Sequence, residues 1–204
     1  MLRFVIQQHD ARSMHWDFRL EAGGVFKSWA VPRGPSTDPR DKRLAMEVDD
    51  HRLSWGDFEG MIPEGEYGAG PVIVWDRGTY ENLRDETMGE ALEAGHASFW
   101  LDGEKLRGGW SIRHTRGRQW LLVKRRDEEA DARRRPTSTQ PESVVSGRTV
   151  AHLDPGHLSQ RSGSGARKGR TRDQLYNEAK KLGIEGRSEM SKAQLQRALA
   201  GKKS

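Results

Sequence analysis

The sequence predicts a mainly β protein, a barrel or sandwich of short strands rather than a parallel α/β sheet, and three observations carry that prediction. Short apolar or alternating runs recur between residues 4 and 125. Glycine-bearing turns separate them at regular intervals, and only one stretch before residue 126, Glu86 to Ala94, has a convincing helical pattern.

Taken in order, Phe4-Val5-Ile6 is a short strand running into His9. If residues 14–20 are a strand, the period of two puts His15, Asp17 and Arg19 on one face and Trp16, Phe18 and Leu20 on the other. The Gly23-Gly24 turn then leads into a third strand, Val25 to Val31. Residues 32–39 hold three prolines and form a loop. From Arg43 to Asp49, Leu44, Met46 and Val48 alternate with Ala45, Glu47 and Asp49, a strand that delivers His51 at its end. Val72 to Tyr80 is an apolar run closed by a turn, and three short strands follow the helix at 97–103, 109–114 and 119–125.

The chemistry concentrates in residues 7–21. A histidine, a carboxylate and a guanidinium in line on one strand face offer two metal ligands and a phosphate fork, about 7 Å apart from one to the next. A tight turn through Ala11-Arg12-Ser13 folds His9 back beside His15, and the resulting His/His/Asp set suits Mn²⁺, Fe²⁺ or Zn²⁺. Against this stands the plainer reading, that a polar strand face bearing His-x-Asp is surface decoration. The loop Pro63 to Gly70 is glycine-rich but lacks the lysine and following helix of a P-loop, so its glycines serve tight turns beside the site. His96, His114, His152 and His157 have no partner pattern and are expected to be structural or surface residues.

The ordered set Gln7-x-His9-x5-His15-x-Asp17-Phe18-Arg19-Leu20-Glu21 and Lys27-Ser28-Trp29-Ala30-Val31-Pro32-Arg33-Gly34-Pro35-Ser36 resembles the 3′-phosphoesterase domain of bacterial DNA ligase D. The likeness continues through Lys42-Arg43-Leu44-Ala45, Asp50-His51, Asp57-Phe58-Glu59-Gly60, Ile62-Pro63-Glu64-Gly65, Tyr67-Gly68-Ala69-Gly70 and Val74-Trp75-Asp76-Arg77-Gly78, and covers roughly residues 4–126. It implies a compact β-barrel with few helices, acting as a metal-dependent 3′-phosphoesterase on DNA ends in non-homologous end joining. His9, His15 and Asp17 would bind the metal, Mn²⁺ by preference, which polarises the phosphate. Arg19 would grip a phosphate oxygen. His51 would contact the scissile phosphate, as general acid or as stabiliser of the transition state. Gln7, Arg33 and Arg43 would bind substrate or buttress the site, and Glu21 would orient Arg19. The partners implied are DNA 3′ ends on a primer-template, including 3′-ribonucleotide ends, with Ku, ligase and polymerase of end joining.

Three departures stand out. Arg33 replaces a lysine of many relatives, and the two cations differ in hydrogen-bond geometry. Trp55 replaces a tyrosine four residues after the site histidine, so the phenolic oxygen is missing. Only eight residues precede His9, where fused relatives often carry a longer arm.

Composition divides the chain. All seven Trp lie before residue 121, and Tyr176 is the only aromatic after residue 126. Residues 1–128 carry 19 Lys and Arg against 22 Asp and Glu, a net −3, whereas residues 129–204 carry 16 against 8, a net +8. The expected organisation is a phosphoesterase domain over 1–126, a flexible linker over 127–170 and a small basic helical module over 171–204. Within the linker, residues 143–149 resemble the segment that follows this domain in fused ligases and are expected to dock locally. The module has two capping boxes, Thr171-x-x-Gln174 and Ser191-x-x-Gln194, and resembles Rho-N and SAP-like helix-extended-helix units. It would present Lys180, Lys181, Arg187 and Lys192 to DNA phosphates. No cysteine, no membrane-length apolar run and no signal-peptide pattern occur, so a cytoplasmic monomer is expected. Two other classes compete: a non-haem iron oxygenase using His15, Asp17 and His51, and a non-catalytic DNA-end adaptor relying on the basic tail.

Overall fold

A computed structural model describes residues 1–153. Nine antiparallel strands form in chain order: β1 Leu2–Asp10, β2 Met14–Ala22, β3 Val25–Val31, β4 Arg43–His51, β5 Gly60–Ile62, β6 Gly70–Asn82, β7 His96–Gly103, β8 Arg107–Arg116 and β9 Gln119–Lys124. Eight of them close into a barrel in the order β1-β2-β3-β4-β9-β8-β7-β6, with β6 pairing back onto β1; β5 is appended to the start of β6. Closure removes the sheet edges that an open sandwich would leave.

Strand parity sorts the side chains. Phe4, Ile6, Trp16, Phe18, Leu20, Trp29, Trp75, Phe99, Trp110 and Trp120 meet in the main core. There Phe18 stacks on Phe99 at 5.8 Å, and Trp120 meets Trp29 edge-on at 5.7 Å. The opposite parity puts Val5, Phe26 and Val74 in a second cluster on the outer face, with Leu53 and Val144 packed on it. A 3-10 turn over Leu53–Asp57 lies there, with Gly56 against the Phe26 ring.

The expected strands are present, and β1 and β6 run longer than their apolar runs. Gln7, Gln8 and Asp10 have low strand propensity, but β1 is hydrogen-bonded on both sides, to β2 and to β6. The helix is shorter than expected: α1 spans Met88–Glu93, opened by a capping box from Thr87 to Glu90. Buried Asp76 fixes the β7–β8 turn by accepting from the backbone N–H groups of Lys105 at 2.9 Å and Leu106 at 2.8 Å.

Residues 127–153 correct the expectation of a linker beginning at 127. They lie along the barrel as a strap with two short helices, α2 Pro136–Thr139 and α3 Val150–Leu153. The Trp75 indole donates to the Gln140 carbonyl at 2.7 Å, and the Lys105 ammonium donates to the carbonyls of Gln140 and Glu142. Val144 N–H donates to the Val74 carbonyl at 3.0 Å. Most of these bonds end on strap backbone, which no side-chain periodicity announces; Pro136 and Val150 are its buried apolar anchors. Docking at Ser143 and Val144 agrees with the local docking expected of 143–149. The rest of the expected linker and the module at 171–204, with Lys180, Lys181, Arg187 and Lys192, lie outside the described residues.

Candidate metal centre

β1 and β2 form a hairpin whose register places His9 opposite His15 and Gln7 opposite Asp17. All four have the outward parity of Val5, so a polar group collects on the outer face beside the aromatic core that anchors the strands. His9, His15 and Asp17 offer ligand atoms that all lie within 4.8 Å of one another. The Asp17 carboxylate is 3.6 Å from His9 Nδ1 and 3.5 Å from His15 Nε2.

Hydrogen bonds at the far ring nitrogens decide which atoms can ligate. His9 Nε2 is 2.7 Å from the Gly68 carbonyl and His15 Nδ1 is 2.9 Å from the Ser13 carbonyl. A carbonyl only accepts, so each of these nitrogens carries the proton. The lone pairs are left on His9 Nδ1 and His15 Nε2, the two atoms that face Asp17. Ligand atoms around a first-row divalent ion at about 2.1 Å stand roughly 3.0–3.5 Å apart; the two Asp17–histidine spacings are close to that range, and the spread of up to 4.8 Å within the set has to close for all three residues to reach one ion. Backbone carbonyls set both tautomers, one from the β1–β2 turn and one from the loop before β6. Gly68 has φ +78°, a left-handed conformation that glycine adopts freely and that lets its carbonyl reach the ring.

Below the cluster Arg19 is 2 % exposed, and four of its five N–H groups are engaged with protein. Its Nε donates to Gln7 Oε1 at 2.8 Å, Nη1 to Ser28 Oγ and His51 Nδ1, both at 2.9 Å, and Nη2 to Asp17 Oδ2 at 3.1 Å. Of its five N–H groups, one on Nη2 is left without a partner here. Gln7 is in turn held through its amide N–H groups by the carbonyls of Trp55 and Phe58, both at 3.0 Å.

These contacts set the charges. Burial would raise the Asp17 carboxyl, but contacts with His15, His9 and Arg19 hold it well below the usual carboxylate range. Burial would lower His15, and the facing Asp17 outweighs it, so the net shift is upward. His51 is pushed down by burial and by the Arg19 cation, with Asp17 opposing. Because Arg19 can only donate, His51 Nδ1 accepts and its proton sits on Nε2. His51 is therefore a neutral imidazole with one N–H to offer.

Not every expected residue joins this group. Glu21 turns to β1, where its carboxylate accepts from the Arg3 N–H at 3.0 Å; Arg19 is oriented by Gln7, Ser28, His51 and Asp17 instead. Arg43 pairs with Asp41 at 2.8 Å, and Arg33 is exposed just past β3. Trp55 stacks on Phe58 at 4.6 Å, its ring 5.9 Å from that of His51. His96 meets Arg84, His114 the Gly117 carbonyl and His152 Thr149, and His157 lies outside the described residues. Sequence reasoning missed Ser28, whose signal is a lone small polar residue in an apolar strand; it faces Arg19 only through the β2–β3 register. It also missed the Gly68 and Ser13 carbonyls, for which side-chain identity gives no signal.

A family model described as the DNA Ligase D 3′-phosphoesterase domain matches residues 7–114. This chain belongs to that family. Among its relatives, the multifunctional non-homologous end joining protein LigD of Pseudomonas aeruginosa is 54 % identical over 156 residues, covering 74 % of this chain and 18 % of the relative. The multifunctional non-homologous end joining DNA repair protein LigD of Mycobacterium tuberculosis is 41 % identical over 126 residues, 62 % of this chain and 16 % of its own length. The chain thus spans under a fifth of the length of these ligase D relatives. Of the described residues of this phosphoesterase-domain protein, no helix is long and apolar enough to cross a membrane.

Proposed function

We propose that this chain is a metal-dependent 3′-end-healing phosphoesterase, converting 3′-phosphate ends of DNA, and 3′-ribonucleotide ends, to the 3′-OH that a polymerase or ligase of end joining requires. The observation that carries the reading is the His9/His15/Asp17 cluster, whose lone pairs converge because backbone carbonyls fix both imidazole tautomers. Family membership supplies the reaction class. The ligase D relatives, by name, belong to non-homologous end joining, and we place this chain in the same process, with Ku among its partners.

On this reading His9 Nδ1, His15 Nε2 and Asp17 hold a divalent ion, with Mn²⁺ suited to the mixed nitrogen and oxygen donors. The bound ion supplies Lewis-acid neutralisation of charge on the phosphoryl group. Arg19 keeps Asp17 ionised and aimed at the ion, and offers its remaining Nη2–H to a phosphate oxygen. His51, neutral and holding its proton on Nε2, donates that N–H to charge developing on the phosphoryl or leaving 3′ oxygen. Its lowered pKa favours hydrogen-bond stabilisation over imidazolium acid catalysis. Gln7 fixes Arg19 from behind, Arg33 meets substrate from the β3–β4 loop, and Arg43 braces that loop through Asp41. The Trp55–Phe58 stack forms the wall beside His51.

The arrangement does not favour an oxygenase triad of His15, Asp17 and His51, because Arg19 occupies His51 Nδ1 and His9 takes the third place in the cluster. The deciding experiment is phosphate release from a 3′-phosphorylated primer-template with and without Mn²⁺, comparing native protein with His15→Ala. Mn²⁺-dependent release that vanishes in the variant is expected. Binding without release by the native protein would instead favour the adaptor.

A further inference from the structure

We infer that the strap and the β3–β4 loop together form a second contact surface for the DNA phosphate backbone, beside the metal cluster and separate from it. The inference rests on the reading that the chain acts on DNA ends.

The loop leaves β3 at Val31, which pairs with Trp16, the residue between His15 and Asp17. Arg33 is two residues further on. With strands about 4.8 Å apart and at most ~3.6 Å per residue, its backbone lies within roughly 12 Å of Trp16. The strap is fastened to this loop from almost a hundred residues away. Thr37 Oγ1 lies 2.8 Å from the Asp131 carbonyl and 2.9 Å from that of Arg134, and Asp131 N–H donates to the Thr37 carbonyl at 3.0 Å. Contact at Gly34 is so close that an added Cβ would stand 2.6 Å from the Thr137 methyl and 2.9 Å from the Trp16 ring.

This junction gathers five exposed cations: Arg33, Arg40 and Lys42 from the loop, and Arg133 and Arg135 from the strap. Three carboxylates accompany them. Asp38 pairs with Arg40 at 2.9 Å, Asp131 sits 3.8 Å from Arg133, and Asp41 is taken by Arg43 and Ser36. Glu129 packs instead against Gly108 of β8. The surface is therefore net positive at the barrel end that carries the metal cluster. The Arg133 side chain is 96 % exposed, and ion pairs this open contribute little and yield to phosphate, which an arginine fork binds in bidentate fashion. At about 3.4 Å rise per nucleotide of a strand, a surface this far from the cluster meets phosphates a few nucleotides back from the reacting end.

The test uses the full chain, a labelled 3′-phosphorylated primer-template, and anisotropy titrations across a salt series. In Arg40→Ala/Arg133→Ala/Arg135→Ala, affinity falls and the log–log salt slope drops by about 0.9 per lost phosphate contact, roughly two to three in all. The matching Arg→Lys triple variant keeps most of the slope, which separates charge loss from misfolding. Arg113→Ala/Arg116→Ala, on β8 across the ring from β2, leaves it unchanged. Phosphate release at saturating DNA stays near native while KM rises. Native affinity and slope in the first variant, or an equal loss in the β8 variant, would overturn the inference. Because binding is read without turnover, a native protein that releases no phosphate defeats the phosphoesterase reading and leaves this surface to be judged by the salt slope.

Discussion

Replacing Arg19 by methionine leaves an unbranched apolar side chain, shorter than the native one, and deletes the charge at a position 2 % exposed. Two consequences dominate. Asp17 loses the Nη2 contact at 3.1 Å, and breaking a buried ion pair by removing one partner costs about 3–5 kcal/mol. Gln7 Oε1 loses its donor, and a buried unsatisfied acceptor costs about 1–3 kcal/mol. Ser28 still donates to the Phe26 carbonyl, and half-buried His51 can take a water, so neither adds much. The two large terms share one rearranged site, and we expect a total of about 3–5 kcal/mol, a large share of the ~5–15 kcal/mol typical of a domain. With m near 2 kcal/mol/M in urea, the midpoint at pH 7 falls by roughly 2 M. Arg19→Lys restores a charge without the planar fork and is expected to lie between the two. Urea unfolding followed by Trp fluorescence measures this. A loss under about 1 kcal/mol for methionine, or a lysine variant equal to native, would refute the view that Arg19 organises the buried network.

Three other outcomes are expected. Gly68→Ala strains a φ of +78° and brings a Cβ to 3.3 Å from His9 Cε1, moving the carbonyl that fixes the His9 tautomer; Mn²⁺ affinity by calorimetry should fall about 10–100-fold, and unchanged affinity would separate this carbonyl from the site. Asp76 is pushed up to about 6 by burial, against three backbone N–H donors. The folded state therefore holds this proton more tightly than the unfolded chain, and the associated stability is present below about pH 4 and is lost as pH rises through about 6. Native protein should lose roughly 1 kcal/mol between pH 5 and pH 7 relative to Asp76→Asn, and parallel pH profiles would contradict this. Lys105→Met removes the bonds to the Gln140 and Glu142 carbonyls, so amide exchange over residues 140–147 should quicken; identical exchange would show that the Trp75 and Val144 bonds hold this part of the strap without Lys105.

Much of this protein was legible in the chain itself. Alternation with period two fixed which β2 residues face the core and which face out, since a one-residue slip would bury Asp17 and Arg19 among tryptophans. The Ala11-Arg12-Ser13 turn brought His9 to His15 because a hairpin pairs residues symmetrically about its turn. Barrel against sandwich was not decided by periodicity, because closure is a single pairing between β1 and β6, distant in sequence. Only the tertiary structure decided the ligand atoms, because two imidazole tautomers are set by the carbonyls of Gly68 and Ser13, and every residue has a carbonyl. It alone showed Arg19 enclosed by Gln7, Ser28, His51 and Asp17, a ring drawn from four strands. The strap escaped composition for a related reason: its polar, proline-broken sequence lacks a periodic apolar face, and backbone bonds with two buried apolar anchors hold it to the barrel. Side-chain pattern records what a strand buries, whereas backbone acceptors and long-range pairings leave no trace until the chain is folded.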